Sequence, residues 1–270
     1  MYARTGQYSG MTLQKSWLTK MKKAKLGIVS FTSCQGCQWV FLDMEFVEIM
    51  RHFEFADFPL LKEEKYKGML DIVFVEGCIT KKEQEKELAR IRQRAKFLVA
   101  FGTCATFGGI PTIKNFLDVK NETEEPFQNP AVLKQIAAMG IDSNVKVDYF
   151  LRGCPPEKEE IAQVLKNFLA GKKPKQTTFP VCVECMKKGN ACLLQEGKPC
   201  MGPITHAGCD ALCPSISIAC YGCRGPLDDA NVAAEVRLFK KHGIKIRDIK
   251  RYFRTFAGTS KVFKDVGKLK

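Results

Sequence analysis

The 270-residue chain contains no run of 18 apolar residues, so it has no candidate transmembrane helix. Residues 1–25 carry six basic side chains and no acid, yet they lack both the apolar stretch of a secretory leader and the twin arginine of a folded-export signal. The expectation is therefore a cytoplasmic protein. Without export its cysteines stand in a reducing compartment, which disfavours disulfides and leaves metal binding as the better use of thiols. The CxxxCxxC spacing of radical-forming iron–sulfur enzymes is also missing.

What the chain does have is 13 cysteines, 12 of which fall into three sets of four. Cys34 and Cys37 form a CxxC pair joined by the remote singles Cys104 and Cys154; Cys182, Cys185, Cys192 and Cys200 follow as a dense run, and Cys209, Cys213, Cys220 and Cys223 as another. Four thiolates are the ligand set of a 4Fe-4S cubane. Three such sets suit a chain that carries electrons along a row of clusters. Zinc is the competing reading, because CxxC pairs also build tetrahedral zinc sites. It suits Cys182–Cys200 better than the first set, since zinc sites normally combine two local pairs. The remaining thiol, Cys78, is read as a packing side chain.

Residues 25–170 alternate strand and helix signals. LGIVSF (26–31), DIVFVEG (71–77), KFLVAFG (96–102) and YFLRG (149–153) read as strands, and the first, third and fourth run directly into cysteine positions. The spacing predicts helices over Phe41–Phe53, after Thr80 as a cap, and from Pro156 to Ala170, ended by Gly171. This βαβ order predicts an α/β fold with a flavodoxin-like open parallel sheet, whose ligands sit beyond the carboxyl ends of the strands. From Lys172 the composition shifts to Cys, Gly and Pro, and residues 180–226 look unable to form a conventional core without metal clusters. Two helices are expected after Pro226, over Asp228–His242 and around Ile246–Phe256. The chain thus divides into a basic extension (1–25), a flavodoxin-like domain (26–171), and a small, irregular ferredoxin-like iron–sulfur domain with a basic helical tail (172–270).

Taken together, SCQGC (33–37), VEGCI (75–79), GTCATFGGIP (102–111), GCPP (153–156) and GCDALCPSISIACYGCRGP (208–226) resemble the small, electron-transfer subunit of nickel–iron hydrogenases. The resemblance spans about residues 26–256 and implies three 4Fe-4S clusters. Cys34, Cys37, Cys104 and Cys154 would hold the proximal cluster, Cys182, Cys185, Cys192 and Cys200 the distal one, and Cys209, Cys213, Cys220 and Cys223 the medial one. Exported relatives usually place histidine where this chain has Cys182, and often lack a counterpart of Cys213. Both departures point to the cytosolic type, related to the gamma and delta subunits of deazaflavin-reducing, methyl-viologen-reducing and NAD(P)-linked hydrogenases. The implied partners are a large subunit bearing the catalytic nickel–iron site and a further flavin or iron–sulfur subunit, so this chain itself holds no catalytic residue. The alternative is a wiring subunit of a related oxidoreductase whose large subunit does not handle hydrogen. The quinone-reductase subunit of respiratory complexes resembles only the first domain and has adjacent cysteines in place of Cys34-xx-Cys37.

Glu76, beside the proximal set, is either a hydrogen-bonded turn carboxylate or a group that tunes the cluster or handles protons there, and Thr103 is a further candidate for a contact that tunes the cluster without binding it. Arg224 either balances cluster charge or is a surface arginine. His206 is read as a loop residue, and Trp39 as core or subunit interface. Residues 237–270 carry a net +10 within a chain total of +14. Three cubane cores of about +2 with twelve thiolates would remove about six charges. The basic, aromatic tail is read as a docking face for an acidic partner or, peripherally, for a membrane surface, and not for nucleic acid.

Overall fold

The computed structural model describes residues 23–116 and 136–269, so nearly all of the basic 1–25 extension lies outside the described residues. Five strands, β1 (Ala24–Ser30), β2 (Phe53–Asp57), β3 (Leu70–Glu76), β4 (Ala95–Phe101) and β5 (Tyr149–Leu151), form one sheet in the order β2-β1-β3-β4-β5. Every pairing is parallel, and this order is the flavodoxin-like one. The register aligns the carboxyl ends: Ser30 pairs with Glu76, Glu76 with Phe101, and Phe101 with Leu151. Whatever follows these strands therefore emerges along a single edge of the sheet.

Period-two burial gives the sheet two apolar faces. Leu26, Ile28, Ile72, Phe74, Val99 and Phe101 line one of them, beneath α1 (Gly36–Leu42) and α5 (Lys158–Leu169). Val73, Val75, Leu98 and Ala100 line the other, beneath α3 (Lys82–Arg94), which contributes Leu88 and Ile91. Phe41 of α1 meets Phe74 edge-on at 5.6 Å, and Phe74 meets Phe101 at 5.3 Å. These contacts seat the last turn of α1 on the sheet, one to two turns beyond the Cys34–Cys37 loop.

Two expectations need correction here. The predicted helix over Phe41–Phe53 is two helices, α1 and α2 (Phe46–His52), separated at Asp43–Glu45. Phe53 instead opens the edge strand β2, in which Phe53 and Phe55 are buried and Glu54 is exposed. The period-two pattern of this strand follows directly on an apolar helix, and the two merge in the sequence. The cap of α3 is Lys81 and not Thr80; Gln84 reaches back to accept from both the Thr80 and Lys81 amides, at 2.8 and 3.1 Å. The short α4 (Gly102–Phe107) follows β4 directly.

Beyond Gly171 the described residues form two short helices, α6 (Val181–Lys187) and α7 (Leu212–Ser215), and two longer ones, α8 (Val232–Lys241) and α9 (Ile246–Ala257). The helix expected over Asp228–His242 is shorter, Val232–Lys241, because Asn231 caps it by accepting from the Ala234 amide at 3.0 Å. The cysteine-rich segment does have an apolar core, contrary to expectation. Val181, Leu193, Met201 and Ile204 pack with Val236, Phe239, Ile249, Phe253 and Phe263 of the tail. The segment looks coreless on its own because most of the large side chains lie on the tail helices, whose apolar stripes need a partner. The tail also reaches the sheet-bearing part, where Arg254 stacks on Phe116 at 4.6 Å and Thr259 bonds the Phe107 carbonyl at 2.6 Å.

Removing the central ring of the aromatic cluster tests this frame. Phe74→Ala is expected to cost about 3–5 kcal/mol, read as a lower denaturant midpoint with an unchanged slope.

Candidate metal centre

The loop from β1 into α1 carries Cys34 and Cys37. Its Gln35 is left-handed, at φ 64°, and the Cys37 amide donates to Glu76 Oε1 at 3.1 Å. Glu76, buried at the end of β3, also accepts from Gln38 Nε2 at 2.7 Å. The carboxylate therefore ties the CxxC loop to the sheet edge. Cys104 lies one residue past Thr103 in α4, and Cys154 follows Gly153 beyond β5. Gly102, at φ 85°, has to be glycine, because a Cβ there would collide with Cys37 Sγ.

Backbone contacts draw the loops of the first set together: the Thr103 amide donates to the Gly153 carbonyl at 2.9 Å, and a Cβ on Gly102 would lie 2.4 Å from Cys37 Sγ. The Cys104 thiol is pushed up to about 12, first by burial and then by Cys78, Cys154, Cys34 and Glu76. Cys37 is raised far beyond the ordinary thiol range, chiefly by burial and then by Glu76, Cys104 and Cys154. Cys34 and Cys154 are exposed while Cys37 is buried, so the group opens to solvent on one side, and Trp39, 62% exposed, stands on that loop's helix. Trp39 is therefore not a core residue. Cys78 is fully buried and joins the backbone of Thr32 as an antiparallel bridge, in keeping with a packing role.

The second set converges on α6. Cys182 is raised to about 12, first by burial and then by Cys200, Cys185, Cys192 and Glu235. Asn190 Nδ2 lies 3.6 Å from Cys185 Sγ. Gly202 stands so close that a Cβ would be 3.3 Å from Cys182 Sγ and 3.5 Å from Cys200 Sγ. In the third set Cys223 is raised to about 12 by burial and by Cys209 and Cys154, and Cys220 is raised by burial and by Cys200, Cys223 and Cys209. Cys213 lies on α7, one turn past Cys209, whose carbonyl accepts from the Leu212 amide at 3.1 Å. The third set touches both others: the Cys220 amide donates to Cys200 Sγ at 3.2 Å, and the Thr103 hydroxyl donates to the Cys223 carbonyl. The thiols thus form a row, first set to third to second.

Arg224 is buried where the first and third sets meet, so the surface reading fails. Its guanidinium makes a two-pronged pair with Glu160 of α5 at 2.8 and 2.6 Å, and donates to the carbonyls of Ala207 at 2.8 Å and Arg152 at 3.0 Å. His206 is likewise buried; its Nδ1 faces the Thr177 carbonyl at 2.9 Å, and burial lowers its pKa to about 4.

The chain can also be placed among known proteins. A family model described as NADH ubiquinone oxidoreductase, 20 Kd subunit, matches residues 34–168. The Sulfhydrogenase 2 subunit delta of Pyrococcus furiosus is 34% identical over 237 residues, which cover 86% of this chain and 99% of that one.

The chain belongs to this family of hydrogenase small subunits.

This hydrogenase-family chain is also 32% identical over 238 residues to a subunit of the vhu F420-non-reducing hydrogenase of Methanocaldococcus jannaschii, covering 76% of it and 82% of that relative. A chain of an NAD+-reducing [NiFe]-hydrogenase structure is 28% identical, with a TM-score of 0.50 over 57% of this chain and 95% of that one. A Dm. baculatum [NiFeSe]-hydrogenase chain shares the fold at 16% identity, with a TM-score of 0.54 over 81% of this chain and 99% of that one. The alignment to the sulfhydrogenase subunit is too long to be confined to the sheet, so the likeness extends into the cysteine-rich part.

Two polar residues of this small subunit do not stand out in its sequence as functional candidates. Glu160 pairs with a residue 64 positions away, a separation no local pattern reveals. Glu235 carries a legible signal, because it shares the stripe of Val232, Val236 and Phe239 on α8. Burial lifts its carboxyl from the usual 4.5 to about 7, and its Oε1 has no hydrogen-bond partner.

Both acids have measurable consequences. Arg224→Gln leaves Glu160 without its cation and is expected to cost roughly 3–5 kcal/mol, measured by anaerobic denaturant unfolding. For Glu235 the folded state holds its proton up to about pH 7 while the unfolded chain releases it near 4.5. Its contribution to stability is therefore present below that window and is lost as pH rises through it. Glu235→Gln should flatten the fall in thermal midpoint between those pH values; an unchanged slope would show that another group is responsible.

Proposed function

We propose that this chain is the electron-transfer small subunit of a cytoplasmic nickel–iron hydrogenase, relaying electrons through three 4Fe-4S clusters between the nickel–iron site of a large subunit and a further flavin or iron–sulfur subunit. The observation that carries this reading is the row of thiols, in which the third set is in contact with both others. When bound, the clusters would supply one-electron storage at three successive points.

The residues fit such groups. Thiols this buried do not ionise unaided, and a cationic iron–sulfur core supplies the missing charge while their protons leave on assembly. Cys34, Cys37, Cys104 and Cys154 would hold the proximal cluster, Cys209, Cys213, Cys220 and Cys223 the medial one, and Cys182, Cys185, Cys192 and Cys200 the distal one. Glu76 holds the Cys37 amide in place, and Thr103 joins the proximal edge to the medial loop. Among the described residues no helix is long and apolar enough to cross a membrane.

The family model's own description, of a NADH ubiquinone oxidoreductase subunit, favours a second reading, in which the same wire serves a complex that does not handle hydrogen. Affinity isolation of the chain from its native host under anaerobic conditions separates the two. A co-purifying large subunit with two CxxC pairs and hydrogen-dependent reduction of viologen dye is expected. A large subunit without those pairs, and no dye reduction under hydrogen, would establish the second reading.

A further inference from the structure

The two ends of the thiol row are chemically unlike. At the first-set end Cys34 and Cys154 are exposed beside Trp39. At the other end Cys192 is the exposed thiol, and its surroundings are strongly basic. The loop that follows Cys192 meets the end of α8, where a Cβ on Gly197 would lie 3.7 Å from His242 Nδ1. From this point α8 and α9 present Arg237, Lys240, Lys241, Lys245, Arg247 and Arg251 to solvent. The acids of the same stretch offset them only in part. Glu235 is buried, and Asp248 is already paired with Arg251 at 3.3 Å and Arg247 at 3.7 Å. Met186, 71% exposed and next to Cys185 on α6, adds an apolar contact point. An apolar spot within a charged rim is the anatomy of a protein interface, and a single-sign rim steers an oppositely charged partner.

We propose that the α8–α9 face beside Cys192 docks an acidic redox protein, presenting that protein's own redox centre to the Cys192 edge. This rests on the cluster reading above, since the docking is productive only if Cys192 borders a cluster. A membrane of anionic lipid would also be drawn to a basic face. The exposed thiol edge favours a redox protein, because a lipid surface takes no electron from it.

The test uses the full-length, anaerobically isolated holoprotein and two probes of opposite charge: an acidic two-cluster ferredoxin and a cationic c-type cytochrome. The variant combines Lys240→Gln, Lys241→Gln, Lys245→Glu and Arg247→Glu. The two glutamates fall at the start of α9, where the helix dipole favours acids, so the fold is not put at risk. Ferredoxin is expected to bind the wild type at low ionic strength and to accept electrons from it once the holoprotein has been reduced with dithionite and freed of the excess. In the variant both association constant and on-rate should fall at least about tenfold, and the difference should vanish near 0.5 M salt. Cytochrome reduction should be unchanged or faster. Equal responses to both probes, or an unaffected ferredoxin, would overturn the proposal. So would vesicles of phosphatidylserine that capture the wild type but not the variant while ferredoxin binding stays the same. A holoprotein without iron–sulfur absorbance before any probe is added would instead overturn the cluster reading, so the two failures are distinct.

Discussion

The most deeply buried cysteines of this protein sit where burial favours the neutral thiol over the thiolate, and the rest of the structure depends on how that constraint is met. In each set the buried cysteines are held where desolvation and neighbouring thiols oppose ionisation, most strongly at Cys37 and Cys220. Nearby amides relieve this only in part, as at Cys200 and Cys220. A centre that brings its own positive charge removes the conflict. The thiols are then not ligands added to a finished fold. On the proposed reading, cluster assembly takes their protons and adds cohesion, most of all between Val181 and Pro226, where helices are short.

The first set depends on the sheet in a different way. Parallel strands with aligned carboxyl ends deliver three separate loops to one edge, and the aromatic contacts Phe41–Phe74–Phe101 hold that edge still. Gly102 lets the backbone approach Cys37 Sγ, and Glu76 anchors the loop from beneath. The cysteine-rich part is then locked on by a few directed contacts: Thr103 to Cys223, and Arg224 to Glu160 and Arg152. These contacts cross the junction at the point where the first and third sets meet, so the positions of the two sets are coupled.

Much of this is readable in the chain. Strong β-branched runs place four of the strands to within two residues, because their burial on both faces leaves an uninterrupted apolar signal. The strand Phe53–Asp57 is hidden because its alternation continues an apolar helix without a turn residue between them. Glu76 can be set beside the first thiols from its place at a strand end, but its two donors, Cys37 and Gln38, cannot. Arg224 is ambiguous for the same reason, since its meaning lies in Glu160, far away in sequence. The core of the cysteine-rich part is obscured because its apolar side chains come largely from α8 and α9, where Ile249 and Phe253 are interleaved with basic residues.

Everything in this molecule turns on what the twelve thiols hold. Quantifying iron, acid-labile sulfide and zinc in the anaerobically purified chain, with Mössbauer spectra of the same sample, measures this directly. Three cubanes predict about twelve irons and about twelve sulfides per chain, with cubane parameters throughout. A colourless protein with stoichiometric zinc, or one with iron for only a single cluster, would contradict it.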